Sequence, residues 1–125
     1  MKSKYRLNFK LRGLPRTLNS LGRHHWAVKC NEANKWRQAV ATECMRHKKP
    51  DKPLRQASLK LVRYSSGICD ADGLVSSFKH VIDGLIDAKI IHDDSWKVIG
   101  MPFYDQQKAP RDDGYISVSV EAVCK

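Results

Sequence analysis

The chain has 125 residues, which fits one domain with a modest core, and 42% of them are hydrophobic, a fraction that excludes a disordered composition. No stretch approaches the roughly 20 apolar residues of a membrane span, and residues 1–6 lead into no apolar run typical of a secretory signal. We therefore expect a cytoplasmic protein with no membrane partner. Its four cysteines lack Cys-x-x-Cys spacing, which favours free thiols over zinc ligands or disulfides.

The net charge of +10 is unevenly distributed along the chain. Residues 1–64 hold 17 Lys and Arg against three acids, whereas residues 65–125 hold six against ten. A basic half predicts a polyanionic partner, because Lys and Arg that bind phosphates release counterions. A well-hydrated surface or a basic ribosomal-type protein is the alternative. A nuclease would explain both halves, since it needs positive charge for DNA and carboxylates for a metal.

The first half of the chain predicts one strand and one helix. Apolar and polar residues alternate over Tyr5–Leu11, which is typical of a half-buried strand. Gly13–Trp26 reads as an ordered, basic loop. Asn31 is a candidate cap for a helix that runs to about His47, with apolar residues every fourth position.

The second half predicts three strands and the clearest helix. Strands are expected at Ala57–Tyr64, Trp96–Phe103 and Ile116–Ala122, and a long amphipathic helix at Asp72–Lys89. The order βαβαββ predicts a single compact α+β domain, with two helices on a mixed or mostly antiparallel sheet.

Three aspartates are candidate metal ligands. Asp70 and Asp72 flank one residue, so in an extended backbone both side chains point the same way. Mg²⁺ prefers oxygen ligands and needs only a few carboxylates. Asp94 follows a helix about 27 Å long, so it reaches the other two only if the sheet brings it back beside the start of that helix. The structural alternative is that Asp72 caps the helix and Asp93-Asp94 forms a turn.

An ordered series of motifs resembles the RusA family of Holliday junction resolvases. It comprises Asp70-x-Asp72-x-Leu74, a helix carrying Lys79 and Asp83-x-Leu85, and then Ile90-Ile91-x-Asp93-Asp94. The resemblance covers residues 57–123 well and residues 5–47 more loosely. Two positions depart from the family pattern. Gly73 replaces the Asn after the second Asp, and Lys79 lies three residues late, with Ser76 at the family's lysine position.

The resemblance implies that residues 1–125 form a single RusA-like, Mg²⁺-dependent endonuclease domain. Asp70, Asp72 and Asp94 would be catalytic metal ligands for one or two Mg²⁺ ions, with Mn²⁺ as an alternative metal. Lys79 would be the catalytic lysine. The implied partners are a branched DNA, the four-way junction, and a second copy of the chain in a homodimer. The setting would be a bacterial cell or a phage-infected host.

The basic half supplies candidates for a phosphate-binding surface: Lys10, Arg12, Arg16, Arg23, Lys29, Arg46, Lys48 and Lys49. The histidines are weaker candidates, with His24-His25 expected in a loop. Trp26 is a candidate for base stacking, whereas Trp36 and Trp96 are expected in the core. Three alternatives stay open: a non-catalytic basic nucleic-acid-binding protein, a metal-dependent nuclease for another substrate, and an inactive relative that binds junctions.

Overall fold

Four strands form one mixed sheet in the computed structural model, which describes residues 5–16 and 26–123. The elements in chain order are β1 (Arg6–Arg12), α1 (Trp26–Cys44), β2 (Ala57–Ser65), α2 (Ala71–Ser77), α3 (Lys79–Asp87), α4 (Trp96–Ile99), β3 (Phe103–Lys108), a 3₁₀ turn (Arg111–Asp113) and β4 (Tyr115–Ala122). The predicted α+β class is confirmed.

The strands lie in the order β1-β4-β2-β3. β4 pairs antiparallel with both β1 and β2, and β3 pairs parallel with β2. The chain between β2 and β3 holds α2, α3 and α4, because a parallel pair needs a crossover connection rather than a tight hairpin. This crossover carries every residue of the predicted active site.

Alternation along the strands puts apolar side chains on one face of the sheet, where the helices cover them. Leu7 and Phe9 of β1 pack in one core cluster with Trp36 and Val40 of α1. The remaining core residues include Leu59 and Leu61 of β2, Val81 and Leu85 of α3, and Ile116, Val118 and Val120 of β4. The opposite face of the sheet carries the polar residues of the alternation.

α1 and α3 approach closely at a glycine. A Cβ built on Gly84 would lie 2.7 Å from the Cβ of Val40, so only glycine allows this spacing without a shift. The pair Arg37–Asp87 bridges the same two helices at the surface, with Nε donating to Oδ2 at 2.6 Å. Buried between the helices and the sheet, the Cys44 thiol has its pKa raised to about 11 by desolvation.

The predicted first helix has the wrong bounds. α1 begins at Trp26, and Asn31 lies inside it, so one cap-type residue did not mark the start. α1 ends at Cys44. Beyond it, the backbone N–H groups of Arg46 and His47 donate to the carbonyls three residues earlier, which tightens the last turn.

The predicted helix over Asp72–Lys89 is two helices. The backbone of Phe78, at φ −96° and ψ 0°, separates α2 from α3. The second of them ends at Asp87, and Lys89 has a positive φ of 65°, which a helix does not continue through.

The predicted strand Trp96–Phe103 is also wrong. Residues Trp96–Ile99 form the single-turn helix α4, and strand β3 begins only at Phe103. Gly100, at φ 56°, and the following Pro102 separate the two. Val98 and Ile99 are consecutive buried residues, a pattern that does not alternate and does not fit a strand.

Within the described residues, no helix is long and apolar enough to cross a membrane.

Candidate active site

Asp70 caps α2. Its backbone is extended, at φ −69° and ψ 171°, and its Oδ1 accepts a hydrogen bond from the Gly73 N–H at 2.7 Å. The alternative that Asp72 is the cap is therefore wrong, and Asp72 lies exposed in the first turn. Gly73 contributes its backbone N–H to this cap. The side chain of Asp70 stays exposed, so one carboxylate serves as a cap and remains accessible from solvent.

The residue before Asp70 is fixed to β3 by a glutamine. The Cys69 N–H donates to Gln106 Oε1 at 3.0 Å, and Gln106 Nε2 donates to the Cys69 carbonyl at 2.8 Å. This reciprocal pair sets where α2 begins relative to the sheet. Sequence reasoning missed Gln106, because the contact spans 37 positions and depends on the register of β3.

Lys79 is the first residue of α3, directly after the interruption at Phe78. Its Nζ lies 3.9 Å from Asp83 Oδ2, and its side chain is 66% exposed. His80 Nδ1 also lies 3.9 Å from the same carboxylate oxygen. Asp83 therefore neutralises part of the positive charge at this turn, while the ammonium group of Lys79 stays accessible.

The two acids of the Asp93-Asp94 pair have different environments. Asp93 Oδ1 accepts a hydrogen bond from the Ser95 N–H at 2.8 Å, and hydrogen bonds with Ser95 lower the pKa of this exposed carboxyl. Asp93 is thus the turn-forming acid that the structural alternative expected. Asp94 lines a groove instead.

The groove lies between the helical crossover and the segment leading into β3, with a volume of about 330 Å³. Its polar lining is Ser76, Lys79 and Asp94, and its apolar lining includes Ile82, Trp96 and Tyr104. The pKa of Tyr104 is raised by burial. The segment just before Asp94 is attached to the segment before β2, because Leu54 and Ile91 form a parallel bridge and the His92 N–H donates to the Leu54 carbonyl at 2.9 Å.

The three candidate ligands, Asp70, Asp72 and Asp94, are not gathered around one point. Across residues 5–16 and 26–123, no group of three or more His, Cys, Asp or Glu side chains is positioned to hold a metal ion. Asp94 shares the groove with Ser76, and Asp72 precedes Ser76 by one helical turn on the same side of α2. The donors fit Mg²⁺ in chemistry, since this ion takes oxygen ligands and keeps several waters. The three carboxylates therefore fit Mg²⁺ by the type of ligand atom that they offer.

The tryptophans have contrasting places. Trp36 is 1% exposed, as expected for the core, and its Nε1 donates to Glu32 Oε1 at 2.9 Å. Trp96 is 71% exposed, so its expected core position is wrong. The helical turn of α4 points Val98 and Ile99 inward and leaves Trp96 at the edge of the groove. Residue 26 begins α1, but its side chain is outside the described part, as are His24 and His25.

The predicted phosphate-binding residues do not share one surface. Lys10 and Arg12 are exposed on the sheet face away from the helices, whereas Lys29 is exposed on α1. Arg46, Lys48 and Lys49 are exposed just after α1. Arg16 is held by Glu32, which accepts from the Arg16 N–H at 3.0 Å. Arg23 lies outside the described residues.

No protein-family model matches this sequence, and no curated protein matches it.

Proposed function

We propose that this protein is a Mg²⁺-dependent endonuclease that cuts branched DNA, in the manner of a four-way junction resolvase acting in recombination and repair. One observation carries the proposal. Asp94, from the far side of the crossover, lies in one groove with Ser76 and Lys79 of the helical segment that begins at Asp70. A carboxylate, a lysine and a hydroxyl in one groove, with Asp72 one turn away, match the requirements of phosphodiester hydrolysis.

The negatively charged and the positively charged residues would have different roles in the reaction. Asp72 and Asp94, with the oxygen of Asp70 that does not cap the helix, would have to move together to hold the metal, because they are not gathered around one point. A bound Mg²⁺ would supply Lewis acidity to the phosphoryl oxygens and lower the pKa of an attacking water. Lys79 places a positive charge in the same groove, where it stabilises negative charge that develops on the leaving oxygen. Asp83, 3.9 Å from its ammonium nitrogen, orients this lysine.

A branched substrate is favoured by the exposed aromatic residue of the groove. Trp96 lines the groove with 71% of its surface exposed, and it lies two residues after Asp94, which lines the same groove. An indole ring stacks on a base only where that base is unpaired or unstacked. A linear duplex keeps its bases stacked along its length, whereas the open form of a four-way junction leaves the base pairs at its centre unstacked on one side. Stacking on Trp96 would thus favour branch points.

Pairing of two copies in a homodimer would let the enzyme make two nicks related by two-fold symmetry, matching the near two-fold symmetry of a junction. The exposed cations Lys29, Arg46, Lys48 and Lys49 would bind its phosphates. We place this activity in the cytoplasm of a bacterial cell or a phage-infected host.

The test is a cleavage assay with a labelled four-way junction and a linear duplex of the same sequence, in Mg²⁺ or EDTA. Asp72→Asn is compared with Asp51→Asn, which changes an exposed acid outside the groove. We expect paired, symmetric nicks on the junction alone, lost with EDTA and with Asp72→Asn but not with Asp51→Asn. Tight binding without cutting in any divalent metal would instead identify a non-catalytic nucleic-acid-binding protein. Equal cutting of flaps or forks would identify a nuclease for other branched DNA.

A further inference from the structure

The face of the sheet opposite the helices carries a set of charged, polar and aromatic side chains. It consists of the outward positions of all four strands, which pair in register across the sheet. We call this surface the open face: Arg6, Asn8, Lys10 and Arg12 of β1, Tyr115, Ser117, Ser119 and Glu121 of β4, Ser58, Lys60, Val62 and Tyr64 of β2, and Phe103, Asp105 and Gln107 of β3. In residues 5–16 and 26–123, the helices pack on the other face.

The open face is positively charged. Its two acids are engaged, since Glu121 lies 3.5 Å from Arg6 and Asp105 accepts hydrogen bonds from the two glutamines that follow it. Lys10, Arg12 and Lys60 are exposed, and none of the three forms an ion pair with any other described residue. Four cations (Arg6, Lys10, Arg12 and Lys60) against two acids (Glu121 and Asp105) give this surface a net charge of +2, which favours a polyanion.

Aromatic rings stand beside these cations. Phe103 is 57% exposed, and Lys60 Nζ lies 5.5 Å from its ring centre. Tyr64 and Tyr115 stack at 4.3 Å, and Lys10 Nζ lies 5.5 Å from the Tyr115 ring. Register pairs Lys60 with Phe103 and Tyr64 with Tyr115, so the two aromatic positions lie about 13 Å apart along β2.

We propose that the open face binds single-stranded nucleic acid. Exposed rings next to cations suit a ligand that presents an accessible base beside each phosphate, which a single strand does and a duplex does not. A second copy of this chain fits less well. A two-fold contact through this face would bring Lys10, Arg12 and Lys60 of both copies together, and facing like charges disfavour association. The proposal does not depend on the carboxylates of the groove.

The test measures fluorescence anisotropy of labelled oligothymidylate of about 12 nucleotides, within the range of known single-strand sites. Oligouridylate of the same length distinguishes RNA from DNA, and an abasic strand keeps the phosphates without the bases. EDTA is present throughout, so that no metal contributes. The variants are Phe103→Ala, Tyr115→Leu and Lys60→Ala. Met45→Ala and Lys52→Ala are controls at exposed positions outside the open face, and Asp72→Asn reports on the groove.

We expect Phe103→Ala to weaken binding of oligothymidylate or oligouridylate about ten-fold, the loss of one base–aromatic stack, and to leave the abasic strand unaffected. Tyr115→Leu should act in the same direction. Lys60→Ala should lower the slope of log affinity against log salt by about 0.7, the contribution of one phosphate contact to a single strand. Asp72→Asn and the controls should bind like the wild type, even if the nuclease proposal fails.

Because Phe103 is exposed, its loss should leave the fold intact, which circular dichroism verifies. Equal affinity of Phe103→Ala, Tyr115→Leu and the wild type for both base-bearing strands would overturn the proposal. So would a dimer, seen by sedimentation, that these substitutions dissociate without changing the affinity for the strands, because a second copy would then occupy the open face.

Discussion

Gln106 and Cys69 exchange two hydrogen bonds, which attach the segment before α2 to strand β3. The side-chain oxygen accepts from the Cys69 N–H, and the side-chain amide donates to the Cys69 carbonyl. Both backbone groups are thereby satisfied by one side chain. Because Asp70 is the next residue, this pair also determines where the first candidate ligand lies. Gln106 is thus a positioning residue for Asp70.

Replacing Gln106 should therefore affect both stability and cleavage. Gln106→Ala leaves the partly buried N–H and carbonyl of Cys69 without their partner, so we expect a loss of about 1–2 kcal/mol in the free energy of unfolding. The matched control is Gln107→Ala, since Gln107 is exposed and bonds only to Asp105. Urea denaturation of both variants measures the difference. Equal stability of the two would show that the Cys69 contact does not hold this segment.

Trp96 gives a prediction that separates binding from folding. Since the side chain is 71% exposed, Trp96→Ala should change stability by less than about 0.5 kcal/mol. It should nevertheless weaken binding to a four-way junction, measured in EDTA, more than binding to a linear duplex. Met45→Ala removes another exposed apolar side chain, away from the groove, and serves as the control. An equal loss of affinity for the junction and for the duplex would argue against base stacking at Trp96.

The Arg37–Asp87 pair predicts a pH-dependent contribution to stability. The hydrogen bonds from Arg37 hold the pKa of Asp87 below its ordinary value. A depressed carboxyl pKa stabilises the fold above the unfolded pKa, and this contribution is lost as the pH falls through the folded pKa. At about pH 7, Arg37→Met should cost about 0.5–1 kcal/mol, because both side chains are largely exposed. Thermal unfolding near pH 2 should show no difference, and a difference that persists there would exclude the ion pair as its cause.

Gly84 gives the sharpest test of helix packing. Gly84→Ala adds a Cβ that would meet Val40 at 2.7 Å, so α3 must move away from α1. We expect a loss of about 1–3 kcal/mol in the free energy of unfolding. Gly67→Ala is the matched control, since nothing lies within 4 Å of its added Cβ. If Gly84→Ala is as stable as this control, α1 and α3 are spaced more widely than the 2.7 Å approach to Val40 indicates.

The first, second and last strands and the fold class were predictable from the sequence because one face of the sheet is buried. Leu7, Phe9, Val118 and Val120 alternate with polar residues, and that period of two appears directly in the chain. The stretch around Trp96 misled the prediction. Its apolar residues suited a strand by composition, but Gly100 and Pro102 divide it into a helical turn and the start of β3.

The geometry of the candidate site was only partly predictable. The sequence indicated Asp70 and Asp72 as neighbours but could not distinguish which one caps the helix. The place of Asp94 depends on the bridge between Leu54 and Ile91, which joins distant parts of the chain. Gln106 carried no sequence signal, because its role exists only once β3 is paired with β2. Tertiary pairing, rather than local pattern, decides these contacts.

The adjacent acids Asp93 and Asp94 allow the most direct test of the metal-dependent nuclease. Asp94 lines the groove, whereas Asp93 accepts from Ser95 in the turn, a bond that an Asn oxygen can also accept. The measurement is the rate of four-way junction cleavage in Mg²⁺ for Asp94→Asn and Asp93→Asn. We predict a loss of about 100-fold or more for Asp94→Asn, as for other groups that stabilise transition-state charge, and near wild-type cleavage for Asp93→Asn. Equal cleavage by the two variants would contradict the assignment of Asp94 to the active site.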